Sequence, residues 1–130
     1  MNAVSTNEAT GLPVSPPVSV SPRTLCIRQL NDALRTSLGG GRWMLTAGFR
    51  ALPPRLQVEL LQAVRAFDAF DAGNDPWGEH DFGAVEAGGV RVFWKIDCYD
   101  YDPELRGLSA DPADPARTVR VLTVMLAEEY

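Results

Sequence analysis

The chain has 130 residues, enough for one hydrophobic core and too few for two. Its 45% hydrophobic and 22% charged composition is that of an ordinary globular domain, and no run of about 18 apolar residues marks a membrane span. The formal net charge of −5 conceals an asymmetry: residues 1–65 hold seven arginines against three acids, and residues 66–130 hold fourteen acids against five bases. Clustered carboxylates repel a phosphate backbone, so direct nucleic-acid binding by the second half is disfavoured and a basic protein surface is the partner expected. The first residues lack a charged leader followed by an apolar run, which points to the cytoplasm. Cys26 and Cys98 stand far apart without a CxxC spacing, so they read as free thiols, and no cofactor is implied.

Residues 1–22 hold four prolines, many serines and threonines and no hydrophobic period, the composition of a disordered tail. A single domain is expected over 23–130. Ser21 is placed to cap a first helix with Pro22 at its first position, and Ile27, Leu30, Leu34 and Leu38 form one stripe. Gly39-Gly40-Gly41 ends that helix; no Gly-Lys-Ser/Thr follows, so the glycines are a connector and not a phosphate loop. RWMLTAG, residues 42–48, reads as a short strand. Pro53 and Pro54 open a second helix in which Leu56, Leu60, Ala63, Val64 and Phe67 recur at helical spacing, with Phe67 and Phe70 closing the core at its end.

The strongest local pattern is HDFGAVEA, Gly88-Gly89 and VRVFWKIDCYDY, a β-hairpin with a two-residue glycine turn. Counting outward from the turn puts Ala87–Val90, Val85–Val92, Gly83–Trp94 and Asp81–Ile96 on one face, with the Trp94 indole lying across Gly83. The other face pairs Glu86–Arg91, Ala84–Phe93, Phe82–Lys95 and His80–Asp97. TVRVLTVMLAEEY fits a helix or a strand; its three valines and two threonines favour a strand beside the hairpin, with Leu122, Val124 and Leu126 inward. The segment DPELRGLSADPADPA before it is a long acidic loop. The expected fold is therefore α+β: two N-terminal helices packed on a small antiparallel sheet that contains a central β-hairpin.

His80 is the only histidine, and the register gives it Asp97 as a carboxylate partner. Such a pair holds the ring in one tautomer and suits a general base, and Glu79, His80 and Asp97 together suit a divalent metal in a small hydrolase or nuclease. No nucleophile elbow or second histidine accompanies them. The leading reading is instead a non-enzymatic binder, with the hydrolase or nuclease as the alternative. Trp77, Tyr99 and Tyr101 stand among Glu79, Asp81, Asp97, Asp100, Asp102 and Glu104, and aromatic anchors ringed by carboxylates suit a basic partner. Both hairpin faces need cover, which leaves room for a homodimer. GVRVFWKID loosely resembles a strand of small RNase toxins, but such proteins need a basic RNA-binding surface, and this half is acidic.

RQLNDALRTSLGGGRWMLTAG, AVRAFDAFDAGNDPWGEHDFGAVE, VRVFWKID and RVLTVMLAEEY together resemble the domain-of-unknown-function family 3768 over residues 24–130. The resemblance implies a small bacterial protein carried on plasmids and other mobile DNA, without assigned catalytic residues. Combined with the acidic half, it implies an inhibitor of a host defence, of anti-restriction or anti-CRISPR type, whose partner is a nucleic-acid-binding host protein.

Overall fold

The structure is a computed structural model that describes residues 20–37, 39–102 and 107–130. Most of the expected tail, Leu38 and Glu104 lie outside the described residues. In chain order the elements are helix α1 (Pro22–Ser37), strand β1 (Arg42–Leu45), the one-turn helix α2 (Ala47–Arg50), helix α3 (Pro54–Ala66), strands β2 (Phe82–Ala87), β3 (Val90–Asp100) and β4 (Thr118–Leu126), and a closing 3-10 turn, Ala127–Glu129.

The helix signals act where they were read. Ser21 Oγ accepts the Thr24 N–H at 3.1 Å, and α1 stops ahead of the glycine run. The expected strand over 42–48 ends early, at Leu45, because Thr46 caps a helical turn: its side chain accepts the Phe49 N–H at 3.3 Å, and Phe49 is fully buried. The two long helices then cap each other. Arg35 of α1 donates to the Val64 and Arg65 carbonyls at 3.1 and 3.0 Å, and Arg65 of α3 donates to the Thr36 carbonyl at 3.0 Å. Each guanidinium thus answers the orphan carbonyls at the other helix's C-terminus.

The sheet order is β1-β4-β3-β2. Its three long-range strands are antiparallel as expected, and β4 is a strand, but β1 lies parallel to β4, so the sheet is mixed. The cause is connectivity: two helices and a hairpin separate β1 from β4, and the hairpin's reversal returns β4 in the direction of β1. Gly88 and Gly89 have φ of 57° and 78°, the pair of positive angles that a type I′ turn demands, and the register from Phe82↔Lys95 to Ala87↔Val90 is the one counted from that turn. Val92, Trp94 and Ile96 of β3 and Leu122 and Val124 of β4 point to the helices and meet Leu34, Phe49, Leu60 and Val64. A Cβ at position 83 would lie 2.6 Å from Trp94 Nε1, so only glycine lets the indole cross β2 there. On the opposite face Phe82, Phe93 and Tyr130 cluster at centroid distances of 5.2–5.7 Å, the last residue of the chain lying against both phenylalanines. Among the described residues no helix is long and apolar enough to cross a membrane.

The hairpin register runs one residue past β2 and stops. Ile96 N–H donates to the Asp81 carbonyl at 2.8 Å, while His80 has a φ of 55° and turns out of the strand. Beyond that point the edge of β3 is taken by the acidic loop, where Asp100 N–H donates to Gly107 O and Ser109 N–H to Cys98 O.

Candidate functional site

The left-handed turn at His80 corrects the expected His80–Asp97 pair. A histidine at positive φ cannot continue a pleated strand, so its ring leaves the sheet and points toward α1. Nδ1 lies 2.9 and 3.1 Å from the two Asp32 carboxylate oxygens; a carboxylate only accepts, so Nδ1 carries the proton. The ring stacks on Phe70 at 3.8 Å with planes 2° apart. Its backbone N–H donates to Asp75 Oδ1 at 3.0 Å, and Nε2 stands 3.7 Å from Asp75 Oδ2. Arg35 closes the group, 3.2 Å from Asp32 and 5.4 Å from the Phe70 ring centre. Asp97 meanwhile pairs with Lys95 at 3.0 Å. Among the described residues no group of three or more His, Cys, Asp and Glu side chains could hold a metal ion, so Glu79, His80 and Asp97 do not form the expected metal set.

Next to this junction, between the chain that leads into β2 and the acidic loop along the edge of β3, lies a cleft of about 220 Å³. Asn31, Ile96, Cys98, Leu108, Ser109 and Pro112 line it together with the carboxylates of Glu79, Asp81 and Asp97. Its floor is built by one buried residue from α1. Asn31 Nδ2 donates to the Glu79 carbonyl at 2.9 Å, and Asn31 Oδ1 accepts from Arg120 Nε at 2.9 Å. Arg120 is itself buried on β4 and also donates to the Pro112 carbonyl. The loop wall is tied by Ser109 and Thr118, whose hydroxyls lie 2.7 Å apart, and by Cys26 Sγ, 3.5 Å from the Ala113 carbonyl.

The electrostatics of the cleft oppose ionisation. Burial, then the charge of Asp81, pushes Glu79 above the ordinary 4.5 of a glutamate, against the pull of Arg23 and Arg120. Burial, then Asp75 and more weakly Asp97, pushes Asp81 above the ordinary 3.8 of an aspartate. The Cys98 thiol is pushed up by burial, which makes it a poor nucleophile. Lys95 is pushed up by its hydrogen bond to Asp97.

The predicted partner-binding residues fall in three places. Glu79, Asp81 and Asp97 share the cleft. Tyr99, Asp100, Tyr101 and Asp102 continue β3 beyond it, with Tyr99 bridged to the exposed Leu108 and Tyr101 well exposed. Trp77 lies apart, on the far side of the 75–79 turn beside the start of α1, and is 77% exposed. Glu104 lies outside the described residues. Four anchors escaped the sequence reading: Asn31, Asp32, Asp75 and Arg120. Two of them carried a signal. Asn31 falls on the Ile27–Leu34 stripe, and Arg120 on the inward alternation that runs back from Val124 through Leu122. A polar residue on a core face is a buried anchor.

Residues 45–129 match the protein family described as "Protein of unknown function (DUF3768)". The matched segment leaves out α1, and with it Asn31 and Asp32. No curated protein and no solved structure matches the chain.

Proposed function

The chain belongs to the DUF3768 family, and from that premise we propose that it is a non-enzymatic interaction module whose cleft receives a basic side chain of a partner protein. The observation that carries this is the gathering of Glu79, Asp81 and Asp97 around one small cleft, with Glu79 and Asp81 held up by burial and by neighbouring carboxylates. A guanidinium or ammonium entering there relieves that repulsion, and fixed carboxylates present the charge that a basic groove otherwise finds in phosphate. A nucleic-acid-binding host protein, such as a defence nuclease blocked at its basic groove, is the partner class this chemistry favours. The exposed Leu108, which lines the cleft, supplies apolar contact for the stem of such a side chain.

The reading as a metal-dependent hydrolase centred on His80 and Asp97 is not carried forward, since the two side chains hold different partners and His80 turns both ring nitrogens toward other carboxylates.

The test is an NMR titration of the full chain with a short arginine-bearing peptide. The expected result is saturable shifts at Glu79, Asp81 and Asp97 that weaken with added salt. Combining Asp81→Asn with Asp97→Asn should lower the affinity about tenfold, roughly 1.4 kcal/mol. Shifts that ignore both the salt and the substitutions would reject the proposal.

A further inference from the structure

Among the described residues the helices share one side of the sheet. Leu34 of α1, Phe49 of α2 and Leu60 and Val64 of α3 all pack on the face that carries Trp94 and Leu122. The opposite face carries Phe82, Ala84, Phe93 and, on β1, Met44, which is 57% exposed. Two features stand next to each other on it. One is a ring: Tyr130 leans on Phe82 and Phe93 and is 72% exposed. A built turn holds it out. Tyr130 N–H donates to Ala127 O at 3.3 Å, and the neighbouring Glu129 carboxylate accepts from Thr46, Leu126 and Gly48. The other feature is a hollow of about 460 Å³ at the outer edge of β2. Phe67, Phe82, Ala84 and Phe93 wall it, and Asp71 and Arg91 rim it. Tyr130 touches two of those walls from outside and does not line the hollow.

The hollow specifies its occupant. Apolar walls beneath one carboxylate and one guanidinium favour a flat aromatic group that carries no charge and ends in a hydroxyl. Asp71 can accept that hydroxyl's proton, and Arg91, already 5.3 Å from the Phe93 ring centre, can lie over the ring. A tyrosine side chain has this chemistry, and the same face presents one. We infer that this face is an interface between two copies of the chain, related by a two-fold axis that runs between ring and hollow. Each Tyr130 enters the hollow of the other copy. A knob beside a hole on one surface makes such an isologous contact twice over. An inserted tyrosine buries about 200 Å² and covers a similar area, so two insertions with the phenylalanines around them bury roughly 1,000 Å². That is the low end of specific interfaces, and a weak, reversible dimer follows from it. The inference is independent of the acidic cleft, since it uses none of the residues that line it.

The experiment is sedimentation equilibrium of the full chain from about 10 µM to 1 mM, a range in which a weak dimer changes its apparent mass. The wild type should pass from monomer to dimer across it. Tyr130→Ala removes the ring and Ala84→Gln fills the hollow. Each should raise the dissociation constant about tenfold or more and leave the melting temperature of dilute protein nearly unchanged. Mixing the two variants should restore part of the association, because one ring still meets one hollow in the mixed dimer. Trp77→Ser, at an exposed tryptophan elsewhere on the surface, should change nothing. A wild type that stays monomeric would overturn the inference and leave the face to a different partner. So would a dimer indifferent to Tyr130→Ala, a dimer lost in Trp77→Ser, or a mixture of the two folded variants that stays monomeric.

Discussion

The polar junction around His80 and the cleft beside it are built from neighbouring residues of one turn, yet they treat their carboxylates in opposite ways. At the junction Asp32 meets the His80 ring and the Arg35 guanidinium, and Asp75 accepts the His80 backbone N–H. Across the turn, burial pushes both Glu79 and Asp81 up, helped at Glu79 by the charge of Asp81 and at Asp81 by that of Asp75. Arrangements of the first kind fasten α1 to the sheet. An arrangement of the second kind costs stability and persists where a ligand uses the charge. The contrast also explains the fate of the sequence's charge asymmetry. Four of the seven arginines of the basic half are engaged within the fold: Arg28, Arg35 and Arg65 donate to backbone carbonyls, and Arg23 reaches Asp111 at 3.5 Å.

The sharpest way to break the comparison is at the junction. His80→Ala removes the stack on Phe70 and leaves Asp32 without its ring partner, so a loss of about 3 kcal/mol is expected in urea unfolding. His80→Asn, which tolerates the left-handed backbone, should recover only a fraction of it. A variant that loses its binding or activity while keeping its stability would mean that His80 belongs to a functional site after all. Asn31→Ala comes next. It strips the Glu79 carbonyl and the buried Arg120 of one bond each, and about 2 kcal/mol should be lost. Because Asn31 forms the cleft floor, arginine-peptide affinity should fall with it, whereas His80→Asn should leave that affinity nearly intact.

Much of the fold was legible because its signals are local. Gly88-Gly89 sets the turn, the turn sets the register, and the register alone puts Trp94 over Gly83. The same count failed at His80, two residues before β2, because register arithmetic assumes extended backbone and nothing in Glu79-His80-Asp81 announces a positive φ. The parallel placement of β1 was illegible for a different reason: pairing between strands so distant in sequence is chosen by the helix layer between them, not by either strand. Of the cleft, the three carboxylates were legible as charge. Their convergence was not, since it depends on Asn31, which holds the Glu79 carbonyl from 48 residues away along the chain, and on Arg120, which holds Asn31 from 89 residues away.

Smaller effects sharpen the contrast from the cleft side. Asp81 has a folded pKa above its unfolded one, so between the ordinary 3.8 and the raised value the native state holds more protons, and stability falls as pH rises through that window. Asp81→Asn should therefore stabilise the protein, by about 0.5 kcal/mol at pH 7 after allowance for solvent screening, with the gain vanishing near pH 3. Affinity for an arginine peptide should move the other way and rise with pH over the same window, because the ionised carboxylate is the form that binds a cation. A destabilised Asp81→Asn variant at pH 7 would place Asp81 with the satisfied acids of the junction.

Glu129 provides the complementary case at the far end of the sheet. It is exposed, yet it accepts three hydrogen bonds: from the Thr46 hydroxyl at 2.7 Å, the Leu126 N–H at 2.8 Å and the Gly48 N–H at 3.2 Å. Those bonds, the Thr46 hydroxyl first, hold its carboxyl below the ordinary 4.5. The sign is then the reverse of Asp81: its contribution is present above 4.5 and is lost as pH falls through the lower folded value. Glu129→Gln should speed hydrogen exchange at the Gly48 and Leu126 amides at pH 7 while leaving global unfolding nearly unmoved. Tyr130, which leans on Phe82 and Phe93 from the adjacent position, should loosen with it. If the exchange rates of Glu129→Gln and the stability of Asp81→Asn shifted in the same sense with pH, the separation of satisfied from strained carboxylates would fail. The cleft would then be one more structural corner of the fold.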